Sequence, residues 1–231
     1  MEYLEFERIL SAKRIQRYKD AANGETRKAM ALYRYNLRLS QEMFTIVSCF
    51  EVALRNAIDS LLVPSLGEDW LKDSVQDTGI FSNGRMNETR KIIEKAYNRL
   101  NRQGNYSHSK LIAEMEFGVW KYMYSSLQYR ATGQCLLRAF PNKPRSSAAV
   151  QYNNTYIFNE LDKVNSLRNR IAHHEPICFR LHEAEIDTSY IINEYQKIQT
   201  LFSWMGIDSH SMLYGLDHVQ SVCAKINSLK V

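Results

Sequence analysis

Prolines and glycines are scarce in this chain of 231 residues, at four and nine respectively. Turns and bulges draw on both residue types, so architectures with many short connections, all-β or α/β, are disfavoured. Four cysteines, Cys49, Cys135, Cys178 and Cys223, stand far apart with no C-x-x-C pair. A chain of this length needs no disulfide framework, and that spacing supports no metal ligation. The four read as small hydrophobes in a reduced, cytoplasmic setting. No apolar run approaches the roughly 18 residues of a membrane span, so no membrane partner is expected. The opening Met-Glu-Tyr-Leu-Glu-Phe-Glu lacks the apolar stretch of a secretory signal. Hydrophobic residues at 45% and charged residues at 24% are ordinary proportions. They exclude disorder and predict one domain over residues 1–231.

Charge is present but unevenly placed. The net value is +5, yet residues 8–38 carry +7, 39–84 carry −5, 85–145 carry +8 and 181–231 carry −3. Segregation of this kind can build a basic groove that attracts phosphates. It can equally mark the solvated faces of amphipathic helices.

The apolar period is helical nearly throughout. A first helix is predicted over 2–20, stopped by Asn23-Gly24, and a second over 25–38. Ser40 can cap a third, with Met43, Val47, Phe50, Leu54, Ile58 and Leu61 on one stripe up to Pro64. Residues 65–86 read as loop. Further helices are predicted over 87–103, 109–127, 131–140, 147–172, 183–204 and 211–229. The expected fold is all-α, a bundle of about eight helices, with the basic helices of 1–38 packed on it or extending from it.

One stretch breaks the pattern: Asn165-Ser166-Leu167-Arg168-Asn169-Arg170-Ile171-Ala172-His173-His174-Glu175-Pro176. At about 100° per residue, Ile157, Leu161, Val164, Ile171 and Ala172 share a face, and Arg168 falls within it. A buried guanidinium requires a carboxylate or a polar cleft. Pro176 forbids the helix to continue, so the chain leaves it at about 172–174, and one imidazole can swing back beside Arg168. A histidine beside a fixed cation suits acid–base work on a phosphodiester. A structural ion pair is the plainer alternative. His173, His174, Glu175 and His182 match no metal-ligand spacing.

Arg168-Asn169-x-x-x-His173 resembles the R-[polar]-x3–5-H signature of HEPN domains, an all-helical superfamily of ribonucleases and nucleotide binders. The longer string from Leu167 to Ile177 is similar to the abortive-infection (Abi-like, AbiD/AbiF-type) branch. Phe50-Glu51-Val52-Ala53-Leu54-Arg55-Asn56-Ala57-Ile58 resembles that branch's E-V-x-L-R-N-x-I segment, and Glu114-Met115-Glu116-Phe117-Gly118-Val119-Trp120 its F-G-x-W segment. The resemblance implies an endoribonuclease of phage defence or toxin type, working without metal or cofactor and leaving 2′,3′-cyclic phosphate ends. By likeness to the family, Arg168 and His173 are the catalytic pair, with Asn169 orienting and His174 the alternative to His173. Glu51, Arg55 and Asn56 are supporting residues. Glu51 and Arg55 lie at i, i+4 and can be a helix-surface pair, or Glu51 can pair Arg168. Phe117 and Trp120 read as core, and Gly118 as a site of close helix packing.

One motif supplies one histidine, whereas cleavage wants an acid and a base, so the resemblance implies a symmetric homodimer with two motifs facing each other. RNA is the implied substrate, and an antitoxin, protein or RNA, is a further conceivable partner. The alternative from another class is a catalytically silent HEPN module that binds nucleic acid or a partner protein. A structural helical scaffold is a third, which leaves Arg168 unexplained.

Overall fold

A computed structural model describes residues 1–230. They are 67% helical, with twelve α-helices, eight of them of seven residues or more, and no strand among the described residues. The all-α expectation holds.

The first predicted helix is two, α1 (Tyr3–Leu10) and α2 (Ala12–Ala21). Ser11 adopts φ 73° between them, and its Oγ accepts a bond from the Arg14 N–H at 3.4 Å, capping α2. The second and third are one, α3 (Thr26–Leu66), 41 residues long. No glycine or proline interrupts it before Pro64, so Ser40 has no cap to make. Met43, Val47, Phe50, Leu54 and Ile58 are buried along it as expected, with Leu62 rather than Leu61 completing the stripe. Pro64 sits in the last turn, and Gly67, at φ 91°, donates its N–H to the Val63 carbonyl and ends the helix.

The expected loop after α3 holds a short α4 (Trp70–Asp73). There Gly79 lies so close to the Asp73 and Ser74 carbonyls that a Cβ would collide with them. α5 (Asn87–Arg102) follows as predicted, closed by Gly104. The helix predicted over 109–127 is broken into α6 (His108–Glu114) and α7 (Phe117–Tyr122), α8 (Ser126–Ala131) bridges to the one predicted over 131–140, and of that only a 3-10 turn at Leu136–Ala139 forms. Met115, Glu116 and Ser125 are extended at the two breaks. α9 (Asn154–Ala172) starts seven residues later than predicted, because Asn153 caps it by accepting from the Tyr156 N–H at 3.0 Å. α10 (Ser189–Trp204), α11 (Ser209–Met212) and α12 (Val219–Asn227) complete the chain.

Two compact units emerge, and their division falls inside α3, α9 and α10. The first comprises residues 1–48, 166–200 and the chain from Asp208. Its core is tied by edge-to-face rings: Phe6 on Tyr33 at 5.5 Å, Tyr18 on Tyr33 at 5.1 Å and Tyr18 on Phe179 at 5.0 Å. Buried Glu42 pairs with Arg38 at 2.7 Å and accepts from the His218 N–H. The second unit comprises residues 49–165 and 201–207. There Phe50 packs against Phe117 and Phe202, and Trp70, Trp120 and Tyr124 are fully buried in the same unit. Phe117 and Trp120 are core, as expected.

Gly118 corrects the sequence reading. It is the second residue of α7, and a Cβ on it would meet nothing within 4 Å, so no neighbouring helix demands its small size. Gly118→Ala should therefore stabilise the chain by about 0.5–1 kcal/mol, the ordinary helix preference for alanine over glycine. Urea denaturation measures this, and a destabilised variant would reveal a close approach that the geometry lacks.

Candidate active site

Ile157, Leu161, Val164, Leu167 and Ile171 are buried along α9, each contributing about 1.5–3 kcal/mol. Leu167 therefore occupies the place on the apolar face that the spacing gave to its neighbour. Arg168 sits at the margin, half-buried, and Ala172 is exposed. This corrects the expectation of a guanidinium in the middle of the buried face. Arg168 Nη1 donates to Asn169 Oδ1 at 3.5 Å, the outer limit for such a bond, and Asn169 is exposed.

The helix ends where Pro176 requires. The His174 N–H donates to the Ile171 carbonyl at 3.0 Å and the Glu175 N–H to the Arg170 carbonyl at 2.9 Å. His174 itself adopts φ 56°. This is a Schellman closure with His174 in the left-handed position that glycine usually takes. In place of the usual apolar contact, Arg170 and Glu175 form an ion pair at 3.3 Å, and Arg170 Nη2 reaches the Pro176 carbonyl at 3.0 Å. Both imidazoles are exposed.

Beyond Pro176 the chain is held by buried Asn36 of α3, whose Oδ1 accepts from the Ile177 N–H at 2.8 Å. An isolated antiparallel bridge, Phe179 with Ile186, then turns the chain back. Two arginines of α2 grip this returning segment. Arg14 Nη1 donates to the His174 carbonyl at 3.2 Å. Arg17 donates to the Glu183 and Arg180 carbonyls at 2.8 and 2.6 Å, and its guanidinium lies 4.8 Å over the Phe179 ring. Between α2 and the end of α9 lies a groove of about 410 Å³, with His173, His174 and Pro176 on one wall and Lys13, Arg14 and Arg17 on the other.

Arg168 and Asn169 lie in the last turn and a half of α9 and His173 and His174 just past its end, all in the first unit; the two histidines line the groove, whereas Arg168 and Asn169 are not among its lining residues. Glu51, Arg55 and Asn56 lie on α3 in the second. Glu51 and Arg55 are half-buried, Asn56 is exposed, and Arg55 Nε is buried without a hydrogen-bond partner. Sequence reasoning missed Asn36, Lys13 and Arg14. Asn36 was detectable: it falls in register with Ala29, Leu32, Tyr33 and Leu39 on a buried stripe, where a polar residue needs a partner. Lys13 and Arg14 lay within the basic segment, but nothing in the sequence placed them against residue 174.

Burial pushes the Tyr18 phenol, at the edge of the groove, far above its ordinary pKa, and the Cys178 thiol up to about 12. Neither group gives up a proton near neutrality. Cys178 and Cys223 are buried, whereas Cys49 and Cys135 are half-buried. Among the described residues no three His, Cys, Asp or Glu side chains gather in a metal-binding arrangement, and no helix is long and apolar enough to cross a membrane.

Compared with known proteins, residues 3–178 match the family model described as Abi-like protein. No curated protein and no solved structure matches the chain.

Two substitutions test this corner. His174→Gly should raise stability by about 0.5–1 kcal/mol by relieving the left-handed backbone of a residue with a Cβ; a loss in urea titration would mean the imidazole holds the fold. Asn36→Ala should cost about 1–3 kcal/mol, because the buried Ile177 N–H loses its acceptor. Amide exchange at Ile177 should accelerate in that variant, and unchanged protection would contradict the assigned bond.

Proposed function

The chain belongs to the Abi-like protein family, and on that premise we propose that it is an endoribonuclease acting through the end of α9. Membership suggests a role in abortive infection, a form of phage defence. The RNA chemistry rests on the likeness of Arg168-Asn169-x-x-x-His173 to the HEPN signature. The observation that carries it is the pairing of exposed imidazoles with a cationic wall across one groove.

In this mechanism the substrate's 2′-OH is the nucleophile. An imidazole takes its proton as the O2′–P bond forms, and the P–O5′ bond breaks as the leaving oxygen takes a proton from an imidazolium. Arg168 stabilises the equatorial phosphoryl oxygens, and Asn169 orients the phosphate through its exposed amide. By likeness to the family signature, His173 is the proton carrier. A second imidazole comes from a second copy, in a symmetric homodimer whose two motifs face one cleft. The basic segments 8–38 and 85–145 hold the RNA by its phosphates.

His173→Ala should lower RNA cleavage by about 10²–10⁴-fold, the usual loss for one proton-transfer group, while RNA affinity stays nearly unchanged. Cleavage should survive EDTA, because the nucleophile is on the substrate and no step calls on a metal. Products should end in 2′,3′-cyclic phosphate, and a 2′-deoxy nucleotide at the scissile position should block cutting. Inactivity of His174→Ala alongside full activity of His173→Ala would move the role one residue along. No cleavage by wild type across a broad RNA panel would favour a silent nucleic-acid-binding module.

A further inference from the structure

The groove holds more positive charge than its own fold uses. Its acid, Glu175, is paired with Arg170. Arg17 spends Nε and Nη2 on the Glu183 and Arg180 carbonyls, and its guanidinium covers the Phe179 ring. Arg14 commits Nη1 to the His174 carbonyl, while its Nε and Nη2 have no acceptor and no acidic partner among the described residues. Lys13 is exposed, and no ion pair reaches it among those residues. Two cations at adjacent positions on α2 therefore line a cavity that also holds the imidazoles, and the acid on its wall, Glu175, is already paired with Arg170. A groove lined by cations that the chain leaves unpaired attracts an anion.

We propose that Lys13 and Arg14 form a phosphate subsite that grips the RNA backbone beside the nucleotide attacked at His173. This rests on the reading above and adds where the strand runs. Arg14 offers a guanidinium edge to phosphate oxygens, and Lys13 offers a mobile point charge. Lys13 and Arg17 also line an adjoining hollow of about 660 Å³ with Gln16, His182 and the acid Asp20, so any continuation of the strand past Lys13 passes a carboxylate. Such contacts position the backbone and read no base, so the subsite gives affinity and register without sequence preference. A phosphodiester fits better than an acidic peptide, because the cations adjoin groups that move protons, which a peptide carboxylate does not require. Arg14 is also a positioning residue, since the same side chain that meets the phosphate fixes the His174 carbonyl.

The test is binding rather than cleavage. A fluorescent 12-nucleotide 2′-O-methyl RNA cannot be cut, and its anisotropy with the full chain is followed from low to high salt. For a single strand the slope of log K against log salt is about −0.7 per neutralised phosphate. Lys13→Ala with Arg14→Ala should make the slope shallower by about 1.4 and weaken binding about 25-fold at 0.1 M salt, from that slope. Lys13→Glu alone, at an exposed residue with no bond to lose, should also flatten the slope, so the inference stands or falls even when the double variant folds poorly. Lys225→Ala, a cation on α12, should leave both quantities as in wild type.

Unchanged slopes in the α2 variants would overturn the subsite, as would wild type failing to bind this RNA. Equal displacement of the RNA by a poly-glutamate peptide, sensitive to the same two residues, would overturn it in favour of an acidic protein partner. A chain that binds as expected yet cleaves no RNA keeps the subsite and loses the nuclease reading. A chain that cleaves RNA with the α2 variants binding as wild type does the reverse.

Discussion

The chain must reverse after Ala172, because in a continued α9 the Pro176 ring would strike the Ala172 carbonyl. The rest of the first unit's functional corner is organised around that reversal. The turn leaves carbonyls at 174, 180 and 183 facing α2, and the α2 arginines bond all of them. It carries Phe179 back onto Tyr18, which in turn packs on Tyr33. It also buries the Ile177 N–H, for which α3 supplies Asn36. A buried donor without an acceptor costs about 1–3 kcal/mol, so this amide is as much a condition of the turn as the proline is.

The arginines of α2 serve a geometry that a lysine would serve poorly. Arg17 bonds more than one carbonyl and covers an aromatic ring at once, which requires a planar fork with several donors. These bonds are exposed, and bonds of that kind contribute modestly to stability. Their larger effect is positional: they fix α2 against the end of α9 and thereby set Lys13 and Arg14 across from the imidazoles. Basic charge in residues 8–38 is thus partly structural, and Lys13 and Arg14 line the groove.

Much of this was legible beforehand, for identifiable reasons. Helix content followed from apolar spacing and from scarce proline and glycine, and the end of α9 followed from Pro176. Boundaries failed where local side chains decided them. Ser11 and Asn153 each accept a backbone N–H and start a helix that the period alone would have begun earlier. The face of α9 was misjudged because Arg168 and Leu167 differ by one position, and Leu167 takes the buried one. The same rule, applied to α3, would have singled out Asn36, a polar residue on a truly buried stripe. No periodicity could have shown α2 meeting residue 174, since the two are separated by 160 positions and joined only by tertiary contact.

The doubled histidine has a conformational meaning that composition does not reveal. His174 occupies the left-handed position of the helix closure, a conformation in which a residue with a Cβ is strained by roughly 1–2 kcal/mol. Histidine enters that region more readily than most residues, yet glycine would serve the turn better. His173, one step earlier, closes the α-helix with its N–H on the Asn169 carbonyl at 2.9 Å and carries no such strain. The two imidazoles therefore leave the backbone in different directions from one turn, one on ordinary helical geometry and one on reversed geometry. Strain retained at an exposed position, where packing does not demand the side chain, is what a site with work for that imidazole would show. Under the proposed chemistry His173 moves the proton, while Arg14 holds the backbone of its neighbour His174 in place.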